Sequence, residues 1–407
     1  MKLLSLLLLP LAAWAQPPAA VTLDELLKLV ARSPRLLAAE RDADVARAER
    51  ATAGALPNPT VSFGSARPSG ERTVFDASSQ QQATVELPIP IFGQRGARMD
   101  AADRQIVRAE SQLRLTGSET RRIAALGFAR LLRAQETLAA RRAALAEIER
   151  IRGLVAGRQQ SGMASRYDRS RVDAEAALAA LAVQRAEADV SEQAAAIAAL
   201  VDAPGWRPRA SGSLEALRSA ALTESGGEPG IREMLAANPA ARLARDESAA
   251  AEARIEVAKR DRFPVPSLAY NRTWTSGPYG AANFVGVQSE IPILDTRKGG
   301  EDRARADAAS ARERERAANA ALAAEYEKQR EALRSRREAL RRFESETAEA
   351  QGAFLEMAES AYRLGRGTLF ELLDARRTRL EAALARLELL GAIVEAEIEL
   401  RALLGDL

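Results

Sequence analysis

The chain is built twice over. Ser33-Pro34 answers to Asn238-Pro239 at an offset of 205, and Pro57-Asn58-Pro59 to Pro264-Val265-Pro266 at 207. Ile89-Pro90-Ile91-Phe92 answers to Ile291-Pro292-Ile293-Leu294 at 202, and Gly162-x-x-Ser165-x-x-Asp168 to Gly365-x-x-Thr368-x-x-Glu371 at 203. A fifth pair, 175–181 (EAALAAL) and 381–387 (EAALARL), differs at one position. Landmarks in one order at a nearly constant offset mark a duplicated unit of about 200 residues. Low complexity matching itself is a poor explanation, because the Pro and Gly punctuation recurs along with the Ala-, Arg- and Glu-rich filler. The 407 residues thus divide into a leader at 1–15, a first repeat at 16–225 and a second at 226–407.

Each repeat orders a helix, two strands, a very long helix, a break and a further helix. Residues 94–156 and 296–362 are free of Pro, 31–55 holds only Pro34 near its start, and all three are rich in good helix formers. Leu131, Leu138 and Leu145, continued by Ile148 and Val155, and then Leu373, Leu380, Leu387 and Val394, recur every seven residues. Such seams need partner helices to cover them.

Between the helices lie four segments bracketed by prolines: 59–67 and 81–91, joined by 68–80, and 266–276 and 283–293, joined by 277–282. Their lengths approach the ~9–11 residues of a tilted membrane-spanning strand. Val61 and Phe63 alternate with Thr60, Ser62 and Gly64, and Ala83, Val85 and Leu87 with Thr84 and Glu86. Leu268, Tyr270 and Trp274 share a face, on which Arg272 is the exception. Lipid tolerates no open sheet edge, and the smallest closed bacterial barrels have about eight strands. Four strands must therefore be pooled between chains, two copies giving eight and three giving twelve.

The breaks combine a helix stop and a helix start. Gly162 and Gly365 suit the left-handed residue that ends a helix, Ser165 and Thr368 suit N-caps, and Asp168 and Glu371 complete capping boxes. Clustered charges there, namely Arg166, Asp168, Arg169, Arg363, Arg366, Glu371 and Asp374, suit a constriction that closes by pairing and opens by rearrangement. The charge run 303–316 reads as a solvated helix face.

Composition excludes other classes. The chain has no Cys and no His, which removes disulfides, thiol chemistry, the commonest general base and the commonest transition-metal ligand. No Gly-rich phosphate loop follows a strand, so no enzyme, cofactor site or metal site is expected. A net charge of +3 gives no pull toward nucleic acid. Lys2, the apolar run 3–11 and Ala13-Trp14-Ala15 read as an export signal cut before Gln16.

The stretch Tyr362-Arg363-Leu364-Gly365-Arg366-Gly367-Thr368-Leu369-Phe370-Glu371-Leu372-Leu373-Asp374-Ala375 resembles the most recognisable segment of the TolC family of outer-membrane efflux proteins. The duplicated layout resembles that family along the whole mature chain. Residues 89–96 (IPIFGQRG) resemble its CzcC/CusC branch, associated with heavy-metal efflux. The resemblance implies a mainly α fold with a small β part: a long α-helical barrel across the periplasm and a transmembrane β-barrel of four strands per chain, twelve in a homotrimer. It further implies a passive exit duct, set in outer-membrane lipid and served by a periplasmic adaptor and an inner-membrane efflux pump of the RND type. Tyr362 and Asp168 look like the family's closed-gate contact, and Glu371 and Asp374 like its acidic entrance ring. The family's basic gate residue falls where this chain has Gly367, with Arg366 one place earlier. The alternative is a periplasmic coiled-coil adaptor, which predicts soluble β-domains and one central helical hairpin per chain.

Overall fold

Two proline-free runs dominate the architecture. The computed structural model describes residues 18–67, 79–222, 230–275 and 280–407, with the side chains at 219–222 and 347–353 excepted. The expected leader at 1–15 and most of the two expected hairpin loops lie outside the described residues. The first repeat runs β1 (Ala20–Val21), α1 (Leu23–Val30), α2 (Pro34–Gly54), β2 (Thr60–Ala66), β3 (Gln80–Pro88), α3 (Gln94–Gln160) and α4 (Arg166–Leu200). After β4 (Arg209–Ala210) and α5 (Leu214–Leu222), the second runs α6 (Ile231–Ala237), α7 (Pro239–Arg260), β5 (Ser267–Thr275), β6 (Ala281–Gln288), α8 (Lys298–Arg363) and α9 (Leu369–Leu404). The fold is mainly helical, and α3 and α8 reach 67 and 66 residues. No described helix is long and apolar enough to cross a membrane.

Several helix ends are fixed by local chemistry. Thr22 and Glu25 cap α1 reciprocally, and the Asn238 side chain accepts from the amides of Ala240 and Ala241 ahead of Pro239 at the first turn of α7. The short pieces β1, β4, α1, α5 and α6 were not expected. A two-residue strand carries no readable alternation; β1 and β4 pair in parallel. The Gln135 side chain of α3 clamps that pair, accepting from the Ala210 amide at 2.9 Å and donating to the Ala210 carbonyl at 3.0 Å.

The chain divides into two units. One comprises Met1–Leu37, Gly117–Met234 and Ala324–Leu407. Within it Leu26 and Val30 of α1 join Phe128, Leu131 and Leu132 of α3, Ile197 of α4 and Leu390 and Ile393 of α9 in one buried cluster. Each large side chain so buried is worth roughly 1.5–3 kcal/mol. Along the seven-residue seams Leu131, Ile148, Val155, Leu373 and Val394 are buried. Leu138, Leu145, Leu380 and Leu387 are half-buried, so one chain covers its own seams only in part.

The other unit comprises Ala38–Thr116 and Leu235–Ala323. Its helices meet through small residues: Ala39, Ala43 and Ala46 of α2, Ala250 and Ala251 of α7, and Ala308 and Ala311 of α8 are buried. Polar contacts flank these seams, among them Ser111 Oγ to Asp246 Oδ2 at 2.5 Å and Arg50 to Asp103 at 2.9 Å. This unit carries an antiparallel sheet in the order β2-β3-β5-β6. The strands end earlier than expected at their Pro-containing ends, β3 at Pro88 rather than residue 91 and β6 at Gln288 rather than 293. Pro90 and Pro292 offer no amide to a ladder. Strand β6 also begins at Ala281, inside the expected loop, because Ala281 pairs with Trp274.

Candidate functional site

Two regions hold the residues with functional chemistry, one in each unit. In the sheet, directly paired residues share a face, and the register sorts the side chains. One row reads Val61, Val85, Tyr270, Val285; beside it Leu87, Leu268 and Val287 align. That apolar face is exposed, Val61 and Phe63 at 70% and 69%, Val285 and Val287 at 67% and 75%. Arg272 does fall on it, but its guanidinium lies over the Trp274 ring at 5.2 Å, near the loop-side end of the strand. An arginine and a tryptophan at that level suit a membrane–water interface.

The opposite face reads Thr60, Glu86, Ala269, Gly286 in one row and Ser62, Thr84, Asn271, Phe284 in the next. Asn271 Nδ2 donates to Thr84 Oγ1 at 2.8 Å and Thr273 Oγ1 donates to Asn271 Oδ1 at 3.0 Å. Phe284 is the apolar exception on this face, lying across Gly286, where an added Cβ would come within 2.7 Å of the ring. Strands β2 and β6 each pair on one side only among the described residues. Ile89, Ile91, Ile291, Ile293 and Leu294, at the Pro-containing ends, are exposed as well.

The second region comprises the turns between α3 and α4 and between α8 and α9. Both are built alike. Gly162 (φ 74°) and Gly365 (φ 72°) adopt the left-handed conformation. The amides of Met163 and Arg366 return to the carbonyls of Arg158 and Ala361 at 2.8 and 2.9 Å, closing the same helix-end motif twice. Ser165 and Asp168 then cap α4, and Thr368 and Glu371 cap α9, each pair bonding reciprocally between 2.8 and 3.3 Å.

Asp168 and Glu371 are therefore engaged in their own helix starts. Tyr362 is buried at 5% exposure, and no hydrogen bond joins it to Asp168. Burial pushes the Tyr362 phenol above its ordinary value; Arg158 opposes the rise and Asp168 adds to it, so the ring stays neutral. Arg366 and Asp374 are exposed and pair with no described residue.

The residue that engages Tyr362 is Arg158, which the sequence did not single out. Its guanidinium stacks 4.7 Å from the ring centroid and donates to the Tyr362 carbonyl. It belongs to a set that knits the α3/α4 hairpin to the α8/α9 hairpin. Arg150 grips Glu359 with both terminal guanidinium nitrogens, Arg379 meets Glu147 at 3.0 Å, and Arg376 donates to the Ala144 carbonyl at 3.0 Å. Arg171 lies 5.3 Å from the Phe370 ring. Hydrogen bonds from Arg150 hold the Glu359 carboxyl below the ordinary carboxylate range. Beneath them Ile148, Val155, Val172, Leu355, Tyr362 and Leu372 form one apolar cluster drawn from all four helices. The only advance signal for Arg158 is its place one turn before a helix-ending glycine.

Comparison with solved structures gives the same fold along nearly the whole chain. The outer-membrane channel OprN matches with a TM-score of 0.79 at 21% identity, over 94% of this chain and 89% of that one. VceC from Vibrio cholerae matches at 0.75 and 18% identity, over 94% and 96%, and CusC at 0.79 and 16% identity, over 94% and 93%. Comparison with curated protein sequences finds no significant match. The sequence pattern of the outer membrane efflux proteins fits residues 26–202 and fits again over 230–406, taking in both hairpin turns and all four long strands. A chain that satisfies this pattern twice, on this fold, belongs to the outer membrane efflux protein family.

Proposed function

We propose that the chain is the outer-membrane channel of a tripartite efflux system, a passive duct formed by three copies that receives cargo from an inner-membrane pump through a periplasmic adaptor. The observation that carries this reading is the four-stranded sheet with one exposed apolar face, one polar face and two edge strands paired on one side only. In hydrocarbon those edges require partners, and strands of other copies are the partners at hand. Eight strands would leave an interior that side chains fill, whereas twelve leave a lumen. The strands, of seven to nine residues at about 3.3 Å each and tilted, approach the ~25 Å apolar band of an outer-membrane barrel. Heating outer membranes in detergent is expected to yield a heat-resistant trimer. A stable monomer in the aqueous phase would overturn the reading.

At the hairpin turns we place the gate. Arg158 on Tyr362 and Arg150 on Glu359 hold the two hairpins of one copy together, while Arg366 and Asp374, in no ion pair with a described residue, would meet the other copies with the Glu371 ring. Heavy-metal cations are the cargo that residues 89–96 put first. Deleting the gene is expected to lower tolerance to divalent metals. Unchanged metal tolerance, with lost tolerance to an organic compound, would reject the metal cargo and leave the duct standing.

A further inference from the structure

The polar face of the sheet carries one charge. Its residues on β2 are Thr60, Ser62, Gly64 and Ala66, and on β3 Gln80, Gln82, Thr84, Glu86 and Pro88. On β5 they are Ser267, Ala269, Asn271, Thr273 and Thr275, and on β6 Ala282, Phe284, Gly286 and Gln288. Only Glu86 ionises. Its neighbours across the ladder, Thr60 and Ala269 with Gly286 beyond, are small and uncharged, and Glu86 pairs with no described residue. The one cation on the four described strands of this sheet, Arg272, points to the other face and is engaged with Trp274. Below the sheet the nearby Glu290 is already matched by Arg297 at 3.4 Å.

We infer that Glu86 is a charge-selectivity determinant of the barrel lumen, favouring the passage of cations over anions. The inference rests on the trimeric duct reading, under which three copies set three Glu86 carboxylates at one level of an otherwise uncharged wall. A carboxylate that no cation neutralises attracts mobile cations and repels anions within about a Debye length, about 8 Å at physiological salt and about 3 Å at 1 M. In a lumen walled by low-dielectric material that bias is focused. Glu86 is remote in sequence from the acidic residues of the hairpin turns and would filter independently of them.

The test uses the full chain reconstituted in planar bilayers, with the turn carboxylates first removed by Glu371→Gln and Asp374→Asn so that the barrel sets the selectivity. Reversal potentials in a potassium chloride gradient give the cation-to-anion permeability ratio. Adding Glu86→Gln is expected to lower that ratio about threefold at 0.1 M salt and far less at 1 M, following the screening length. An unchanged ratio overturns the inference and leaves the duct intact. Because the chain has no cysteine of its own, a second arm is available. In membranes, Glu86→Cys should react with a water-soluble charged thiol reagent and Val85→Cys should be protected; the reverse pattern overturns the face assignment. Failure of the unmutated chain to form any channel overturns the duct reading, and this inference with it.

Discussion

Arg158 makes the sharpest single-residue prediction. Arg158→Ala removes a charge-assisted bond to the Tyr362 carbonyl and the stacking on its ring. A bond of that kind is worth about 1.5–3 kcal/mol, roughly a ten- to hundredfold shift toward separated hairpins. Single-channel recordings are expected to show larger or more frequent openings, and Arg158→Lys to fall between, since lysine keeps the charge without the planar fork. Asp374→Ala is expected to raise conductance by weakening the ring between copies, again read in single channels. The gate's pH response follows from its side chains. Glu359 is held below its ordinary value of 4.5 by Arg150, and the chain has no His. A depressed carboxylate contributes stability that is present above the unfolded value and lost as pH falls through the folded one. Conductance is therefore expected to be flat from about pH 8 to 5 and to rise below about pH 4. A step near pH 6.5 would mark a group these contacts do not include. Of this site, the capping residues were legible because a capping box is a local pattern four residues long. Arg158 and Arg150 were not, because their partners stand 204 and 209 residues away.

Strands and helices differ in how much of them the sequence revealed. The long helices announced themselves by the absence of Pro, and α3 and α8 end within a few residues of the expected points. Alternation placed Val61, Phe63, Val85 and Leu87 on a common kind of face, but joining the two hairpins into one sheet needed the β3–β5 pairing, which no local pattern encodes. Arg272 looked like a flaw in the fifth strand until its contact with Trp274 was seen. The small β1–β4 pair escaped because Gln135, which clamps it, is distant in sequence. The two faces predict opposite tolerances. Val85→Arg puts a charge on the lipid-facing side and is expected to cost about 2–4 kcal/mol if it lies near mid-membrane. Ser62→Arg, on the opposite, polar face, should leave stability nearly unchanged. Denaturant unfolding of the folded protein in lipid measures both.

For the molecule as a whole, duplication explains why one chain shows the same turn geometry twice while the two copies have diverged in detail. Ser165 and Asp168 in one correspond to Thr368 and Glu371 in the other, with the left-handed glycine kept three residues ahead of each cap. The heptad positions Leu138, Leu145, Leu380 and Leu387 are left half-buried by one chain, and in the proposed trimer neighbours from other copies would cover them. Assembly should therefore stabilise the helices as well as the strands, and dissociated chains are expected to lose helical content at lower temperature than the trimer, as circular dichroism would show.

The nine residue pairs of the β3–β5 ladder bind the two repeats side by side through strands far from the peptide that links them. A protease that severs that linker would make six polypeptides of three, yet the ring need not notice, as a barrel's staves stay shut when one hoop is cut. In the proposed trimer the weak points are then the three seams where one chain ends and another begins, and whatever loosens it would start there.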